Sequence, residues 1–347
     1  MEIHQRPGVY SDYTLSSSWS AAGNGGTVGL VGLAAGQTLI HISTVGQAES
    51  KLATYPILQR LALVILRSGG GKVILSPAGG SNKQSYSEAL ERLLIHADVD
   101  AVVLDTEVSE LQQALKEQVV AYSKEGNECI GVIGLSGGTV DTLTARALVM
   151  NSPRMVLAAG TAALKRETSI SGGIYAAAAV AGVIVGEEDP ALPLSGGVLE
   201  ELDSVRESFT EEELDSLILG GVTVLENTGS GVEILRGVTT CTTIEGVSDN
   251  RYRELSTIRI IDHVVPGIRK SLKSRFVRKK NNAATRGAIG DHVTVALESY
   301  LKQEIIDGYG DVSVEVSPED PTVCVVEFSF GVTHGLGRIF LTAHITV

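Results

Sequence analysis

The sequence predicts an α/β fold, a mainly parallel sheet covered by helices on both faces, followed by a smaller α+β domain. Three observations carry this expectation. Strand-like and helix-like segments alternate at least four times between residues 27 and 162. The strand-like runs, such as VVL and VIGL, are apolar throughout, as strands buried on both faces are. Near Thr239 the grammar changes, and two long helical patterns are followed by three β-type segments. At 347 residues the chain exceeds what one core usually organises, so two domains with extended arms are expected.

Residues 1–22 read as an arm, because Pro7-Gly8 and the polar run SSSWSAAGNGG leave no room for a helix. Next come a buried strand, TVGLVGLA, a helix over 50–67 and, after three glycines, the strand KVILSP. SYSEALERLLIHA is a helix with Ser85 as N-cap and Glu88 completing a capping box. Strand DAVVLDT, helix 107–125, strand ECIGVIGLS, a turn and helix to Met150, and strand RMVLAAGTA continue the alternation. The run GGIYAAAAVAGVIVG is shorter than the roughly 20 residues that span a bilayer and suits a helix packed closely on a sheet. A short acidic helix over 203–219 precedes a hairpin with a Gly-rich turn at Asn227–Gly231.

Two helices are expected over 253–276 and 285–306. In the first, Ile258, Ile261, Val265, Ile268, Leu272 and Phe276 form one apolar stripe, with Arg269, Lys270, Lys273 and Arg278 roughly opposite. Pro266-Gly267 should kink or divide that helix near Val265. DVSVEVSP, TVCVVEFSF and GRIFLTAHITV then read as strands. The last alternates with period two and runs to Val347, where a chain frays unless something holds it. These readings divide the chain into an N-terminal arm (1–22), an outer α/β domain (23–238), an inner α+β domain (239–337) and a C-terminal arm strand (338–347).

Charge is uneven. Net charge is −13, yet residues 251–286 hold eleven Lys/Arg against Glu254 and Asp262, leaving −22 for the rest. An acidic body with one basic segment points to an acidic partner for that segment. With aromatics at 4 % and an acidic remainder, that partner is not expected to be nucleic acid. Cys129, Cys241 and Cys324 lack metal-ligand spacing and are expected to be buried, reduced thiols. The opening residues have no apolar core of a secretory signal.

No catalytic constellation emerges. Ser68–Lys72 precedes a strand instead of following one, so it cannot place amides and a helix dipole at a phosphate. Ser136-Gly137-Gly138-Thr139 sits between strand and helix but lacks a lysine. No G-x-S-x-G elbow is present, and the adjacent Asp262 and His263 would point about 100° apart on a helix. No cofactor, metal or catalytic residue is expected. A nucleotide-binding α/β enzyme and a nucleic-acid-binding scaffold are the alternative readings.

Several segments carry a resemblance. GGVTVLENTGSGVEILRGVTT resembles the hairpin of the phage contractile tail sheath family, with its "GV…V.R…TT" pattern. ELSTIRIIDHVVPGIRKSLKSRFVRKKNNAATRGAI looks like that family's long helix and basic turn, Arg6–Tyr10 like its opening "PGVY", and RIFLTAHITV like its closing strand. The resemblance implies an outer domain of subtilisin-like topology without required protease activity, an inner domain that touches a tube, and arms that pair with neighbouring subunits. It implies a homopolymer of stacked rings, usually of six subunits, around an inner tail tube protein. Baseplate and tail terminator proteins are the further partners, with no nucleic acid and no membrane insertion. Contraction of a high-energy lattice would drive the tube through an envelope. Assembly in the cytoplasm of a bacterial host, then a place in a virion or released tail particle, would follow. Under this resemblance the inner-tube contacts are Arg269, Lys270, Lys273, Arg275, Arg278, Lys279 and Lys280. The inter-subunit strands carry Val9, Tyr10, Ile339, Leu341, Ala343, Ile345 and Val347.

Overall fold

The computed structural model describes residues 25–336. In chain order they form β1 (Thr27–Leu33), β2 (Ile40–Ile42), α1 (Val45–Lys51), α2 (Pro56–Arg67), β3 (Lys72–Ala78), α3 (Lys83–His96), β4 (Ala101–Leu104) and α4 (Ser109–Lys124). Then follow β5 (Ile130–Leu135), α5 (Val140–Met150), β6 (Met155–Ala159), β7 (Ala162–Leu164), β8 (Glu167–Gly172), α6 (Gly173–Gly186), β9 (Leu202–Val205) and α7 (Glu211–Leu219). The rest comprises β10 (Val222–Thr228), β11 (Gly231–Ile234), β12 (Thr243–Ile244), β13 (Val247–Ser248), α8 (Leu255–Phe276), α9 (Ala283–Lys302), β14 (Ile306–Tyr309), β15 (Ser313–Val316), β16 (Cys324–Glu327) and β17 (Phe330–Val332).

The body is an eight-stranded sheet in the order β11-β10-β6-β5-β4-β1-β3-β2. Its six inner strands are parallel, and the short edge strands β2 and β11 are antiparallel to their neighbours. Alternate strand residues serve opposite layers. Val28, Leu30, Val73, Val103 and Val132 pack against α2 and α6, whereas Val31, Ile74, Val102, Ile133 and Leu157 meet α3, α4, α5 and α7. Each such aliphatic side chain, fully buried, contributes about 1.5–3 kcal/mol. Helix α6 is the small-residue run, buried along nearly its whole length. A Cβ on Gly134 would lie 1.9 Å from the carbonyl oxygen of Gly173, so α6 enters the sheet over β5 where only glycine fits. Among the described residues no helix is long and apolar enough to cross a membrane.

Beyond the body, α8 and α9 pack on each other through Ile260, Val264, Ile268, Val293 and Leu297, with the two-stranded sheets β14–β17 and β15–β16 beside them. The mixed α/β class with a parallel sheet and separate small C-terminal sheets is thus as the sequence reads.

Several details differ. The helix over 50–67 is two helices: the chain turns after Lys51, and Pro56, which has no amide hydrogen to lose, opens α2. Asn82, not Ser85, caps α3, and Ser85 supplies the amide that Asn82 accepts. Residues 202–205 are strand β9, and the acidic helix starts only at Glu211, where Thr210 and Glu213 form a capping box. Helix α8 is not divided at Pro266, and its buried row is Ile260, Val264, Ile268 instead of the stripe through Ile261 and Val265. Cys129 and Cys241 are buried, but Cys324 is only half-buried.

Candidate assembly surfaces

In open parallel sheets, ligands bind where the strands end at their carboxyl termini. Here that crevice is filled by the chain's own carboxylates. Glu107, just beyond β4, accepts hydrogen bonds from the Ser136 hydroxyl at 2.6 Å, the Ser136 amide at 2.8 Å and the Gly173 amide at 2.8 Å. The last of these is the N-terminus of α6, where an anion would bind. Glu207 accepts from the Thr161 amide and hydroxyl, both at 2.6 Å. Asp105 accepts from the Leu33 amide at 2.8 Å and the Tyr86 hydroxyl at 2.6 Å. Burial raises the Asp105 carboxyl and the Tyr86 phenol above their ordinary values. Gly137 and Gly138 take positive φ in the tight turn before Thr139, which caps α5. The glycines therefore serve a turn, as their spacing implies, and the Ser136, Gly173 and Thr142 amides beside it already have internal acceptors.

The second feature is the joint between α8 and the body. Arg154, just before β6, forms an ion pair with Asp262 of α8. Burial pushes the Asp262 carboxyl up to about 6, partly offset by the hydrogen bond from Arg154, and among the described residues its Oδ1 has no hydrogen-bond partner. Arg259 is 7 % exposed and donates to the carbonyl oxygens of Glu187 (2.8 Å), Leu192 (3.1 Å) and Asp189 (3.1 Å). Burial lowers its pKa to about 10. Arg269 grips Glu128 with a two-pronged contact at 2.7 and 3.1 Å and also donates to the Gly126 carbonyl at 2.7 Å. That partner holds the Glu128 carboxyl below its ordinary value against the opposing effect of burial. Asp262 and His263 have separate neighbours: the His263 ring meets Tyr300 edge-on, 5.5 Å between centroids.

The third feature is the basic tip. Lys270, Lys273, Arg275, Arg278, Lys279 and Lys280 occupy the last two turns of α8 and the turn that follows, and all six are exposed. Among the described residues none of the six forms an ion pair. Arg275 lies 3.5 Å from Nδ1 of His292 on α9. The turn is fixed by Asn282, which caps α9 by accepting from the Thr285 amide at 2.8 Å, and by Asn281, which donates to the Pro321 carbonyl at 2.8 Å. The seven predicted cations thus share one helix end, but Arg269 faces the body and has a partner within the chain. Val9 and Tyr10, and Ile339, Leu341, Ala343, Ile345 and Val347, lie outside the described residues.

Sequence reasoning missed Arg154, Arg259 and Glu128. A signal for Arg259 and Asp262 was present, since they stand three residues apart within the apolar part of α8, where charges need partners. The partners themselves are about 70 to 141 residues away in sequence and leave no local trace.

Two family models match the chain, the phage tail sheath protein central domain over residues 79–240 and the phage tail sheath C-terminal domain over 247–346. The tail sheath protein of Bacillus phage SP01 is 26 % identical over 285 residues, covering 80 % of this chain and 47 % of that protein. The chain therefore spans about half the length of this curated relative. Among solved structures, the contracted sheath of an extracellular contractile injection system aligns with a TM-score of 0.74 at 15 % identity, covering 100 % and 99 % of the two chains. The contracted helical sheath of the anti-feeding prophage gives 0.73 at 16 % identity with 99 % of both covered. A sheath tail protein of Desulfitobacterium hafniense gives 0.71 at 12 % identity, covering 94 % and 100 %. Both domain models, in order and together over three quarters of the sequence, place this chain in the phage tail sheath protein family.

Proposed function

We propose that this chain is a structural subunit of a contractile tail sheath, acting by rearrangement of its contacts and not by catalysis. The single observation that supports it most is the succession of sheath central and C-terminal domain matches along one chain. The carboxylate-filled crevice argues against the rival reading of a nucleotide-binding enzyme. In this proposal subunits stack in rings of six around an inner tube, meet baseplate and terminator proteins at the ends, and shorten to drive the tube through an envelope. Assembly takes place in the bacterial cytoplasm, and the product is a virion or released tail particle.

The finer assignments belong to the same proposal. The outer domain is residues 23–238, with a subtilisin-like topology, and the inner domain is 239–337. The exposed cations of the basic tip face an acidic stripe on the tube. Each exposed pair is worth only about 0–1 kcal/mol, so the contacts hold by repetition along the lattice and can still break in turn. Residues 1–22 and 338–347 are arms that add strands to a neighbour's sheet through main-chain hydrogen bonds. Negative-stain microscopy of the full chain, with and without its tube protein, tests the reading, alongside truncations lacking residues 1–13 or 339–347. Ordered tubes from the full chain and none from either truncation are expected. Absence of any polymer with the tube protein would overturn the sheath role, and ordered tubes from a truncation would overturn the role of that arm.

A further inference from the structure

Along the same carboxyl edge of the sheet, the ends of β1 and β3 and one face of α3 enclose a cavity of about 350 Å³. Gly36 and Gln37 border it from the chain leaving β1, and Gly79 is the first residue after β3. Ser85, Glu88 and Arg92 stand three and four residues apart on α3 and so share one side of the helix. Arg92 is half-buried, and its guanidinium donates to the Pro77 carbonyl oxygen. Its Nε is buried and has no hydrogen-bond partner among the described residues. Arg60, Arg67 and Arg154 of the same body each pair with a carboxylate, whereas among the described residues Arg92 pairs with none. Glu88, one turn earlier, is where such a partner would be expected. It accepts instead from the Gln84 side chain at 3.0 Å. Two more donors border the cavity without a partner among the described residues, the Ser85 hydroxyl and the Gln37 side-chain amide.

Gly79 is an independent pointer. A Cβ there would meet nothing within 4 Å, and its φ is not positive, so neither packing nor backbone conformation calls for a glycine. Close approach of a ligand to the main chain does. A cation kept from its nearest carboxylate, two neutral donors and a bare stretch of backbone match one kind of group, a small anion that accepts hydrogen bonds through oxygen. We propose that this cavity binds a small oxyanion, a carboxylate or a phosphate group. Arg92 neutralises it, Ser85 and Gln37 donate to its oxygens, and its far side rests on the main chain at Gly79. Glu88 borders the same cavity, so a singly charged group fits better than a doubly charged one. The site is distinct from the crevice filled by Glu107 and Glu207 and does not depend on the sheath reading.

The test titrates the full-length chain with sodium acetate and, separately, with inorganic phosphate at pH 6, where phosphate is mostly the monoanion. Calorimetry follows binding, with sodium chloride holding the ionic strength constant. Saturable binding of acetate, phosphate or both is expected, and the two arms tell which group the site takes. Affinity should fall about tenfold in Arg92→Gln, which removes the charge and its donors. Gly79→Ala should melt as the parent does without the anion and bind it about threefold more weakly, because its methyl group occupies the open side of the cavity. No saturable binding of either anion, or an affinity unchanged in Arg92→Gln, would overturn the proposal. Should Arg92→Gln fail to fold for want of its contact with Pro77, Gly79→Ala decides, and an affinity equal to that of the parent would overturn the site.

Discussion

Asp262 offers a test of what holds α8 to the body. Its neighbours are Arg154 before β6, Glu128 before β5 and Asp100 before β4, and burial lifts its carboxyl from the ordinary 3.8 to about 6. At about 1.36 kcal/mol per pKa unit, the ionised form costs the folded state about 3 kcal/mol relative to an unperturbed carboxylate. The sign follows from proton counting. Between pH 4 and 6 the folded chain holds a proton that the unfolded chain has lost, so this group's contribution to stability is largest below pH 4 and is lost as pH rises through 6. At pH 4 the gain over pH 7 is about 2 kcal/mol. Asp262→Asn keeps an acceptor for Arg154 and removes the titration. At pH 7 the substitution loses an ion pair and relieves a buried charge, so a net change within about 1 kcal/mol is expected. At pH 4 the variant should be less stable than the parent by about 2 kcal/mol more than at pH 7. Urea unfolding followed by circular dichroism at pH 4, 5, 6 and 7 measures the difference. A constant gap between variant and parent across that range would show that burial does not govern this carboxyl. A loss of 3–5 kcal/mol at pH 7 would show that the ion pair dominates.

Three further outcomes are expected. Arg269→Ala, which removes the half-exposed clamp on Glu128, should cost about 1 kcal/mol in urea unfolding and leave assembly on the tube protein intact; a sedimentation assay that finds assembly abolished would make Arg269 a lattice contact after all. Reversing Lys273, Arg278 and Lys280 to Glu should abolish tube-templated assembly while circular dichroism and melting remain those of the parent, and normal sheathed particles would refute the tube contact. Gly134→Ala, which drives a methyl group to 1.9 Å from the Gly173 oxygen, should destabilise the body by about 3 kcal/mol or more; a variant as stable as the parent would mean that α6 shifts without strain.

Much of the body was legible because apolar runs such as AVVL and IGVIGL state both strand and burial in a few residues. The errors lie where a local signal competes with tertiary contact. Pro56 reads as an interruption inside a periodic apolar run, yet it fits the first turn of a new helix better than the middle of an old one. Residues 162–172 and 202–205 are too short and polar to show period two, but β7 gathers β8 and β9 around itself through long-range pairing. Strand β14 hides at the end of the pattern expected to be helix 285–306. Of the basic segment, the clustering of cations was visible. That Arg269 faces inward was not, because the carboxylate that receives it is 141 residues away.

The two edges of the large sheet have a bearing on supply. Strand β2 is three residues long and β11 four, both antiparallel, and Glu233 on β11 is bridged by Val198. Long open edges recruit strands from any chain that passes, whereas edges this short and partly covered do not. A subunit built this way can accumulate to high concentration without its body seeding fibres. On the proposed role of the arms, growth of a polymer would wait on those arms finding a correctly placed neighbour. The number of particles would then be set by how many starting points exist, and the subunit stock would set only how far each one grows.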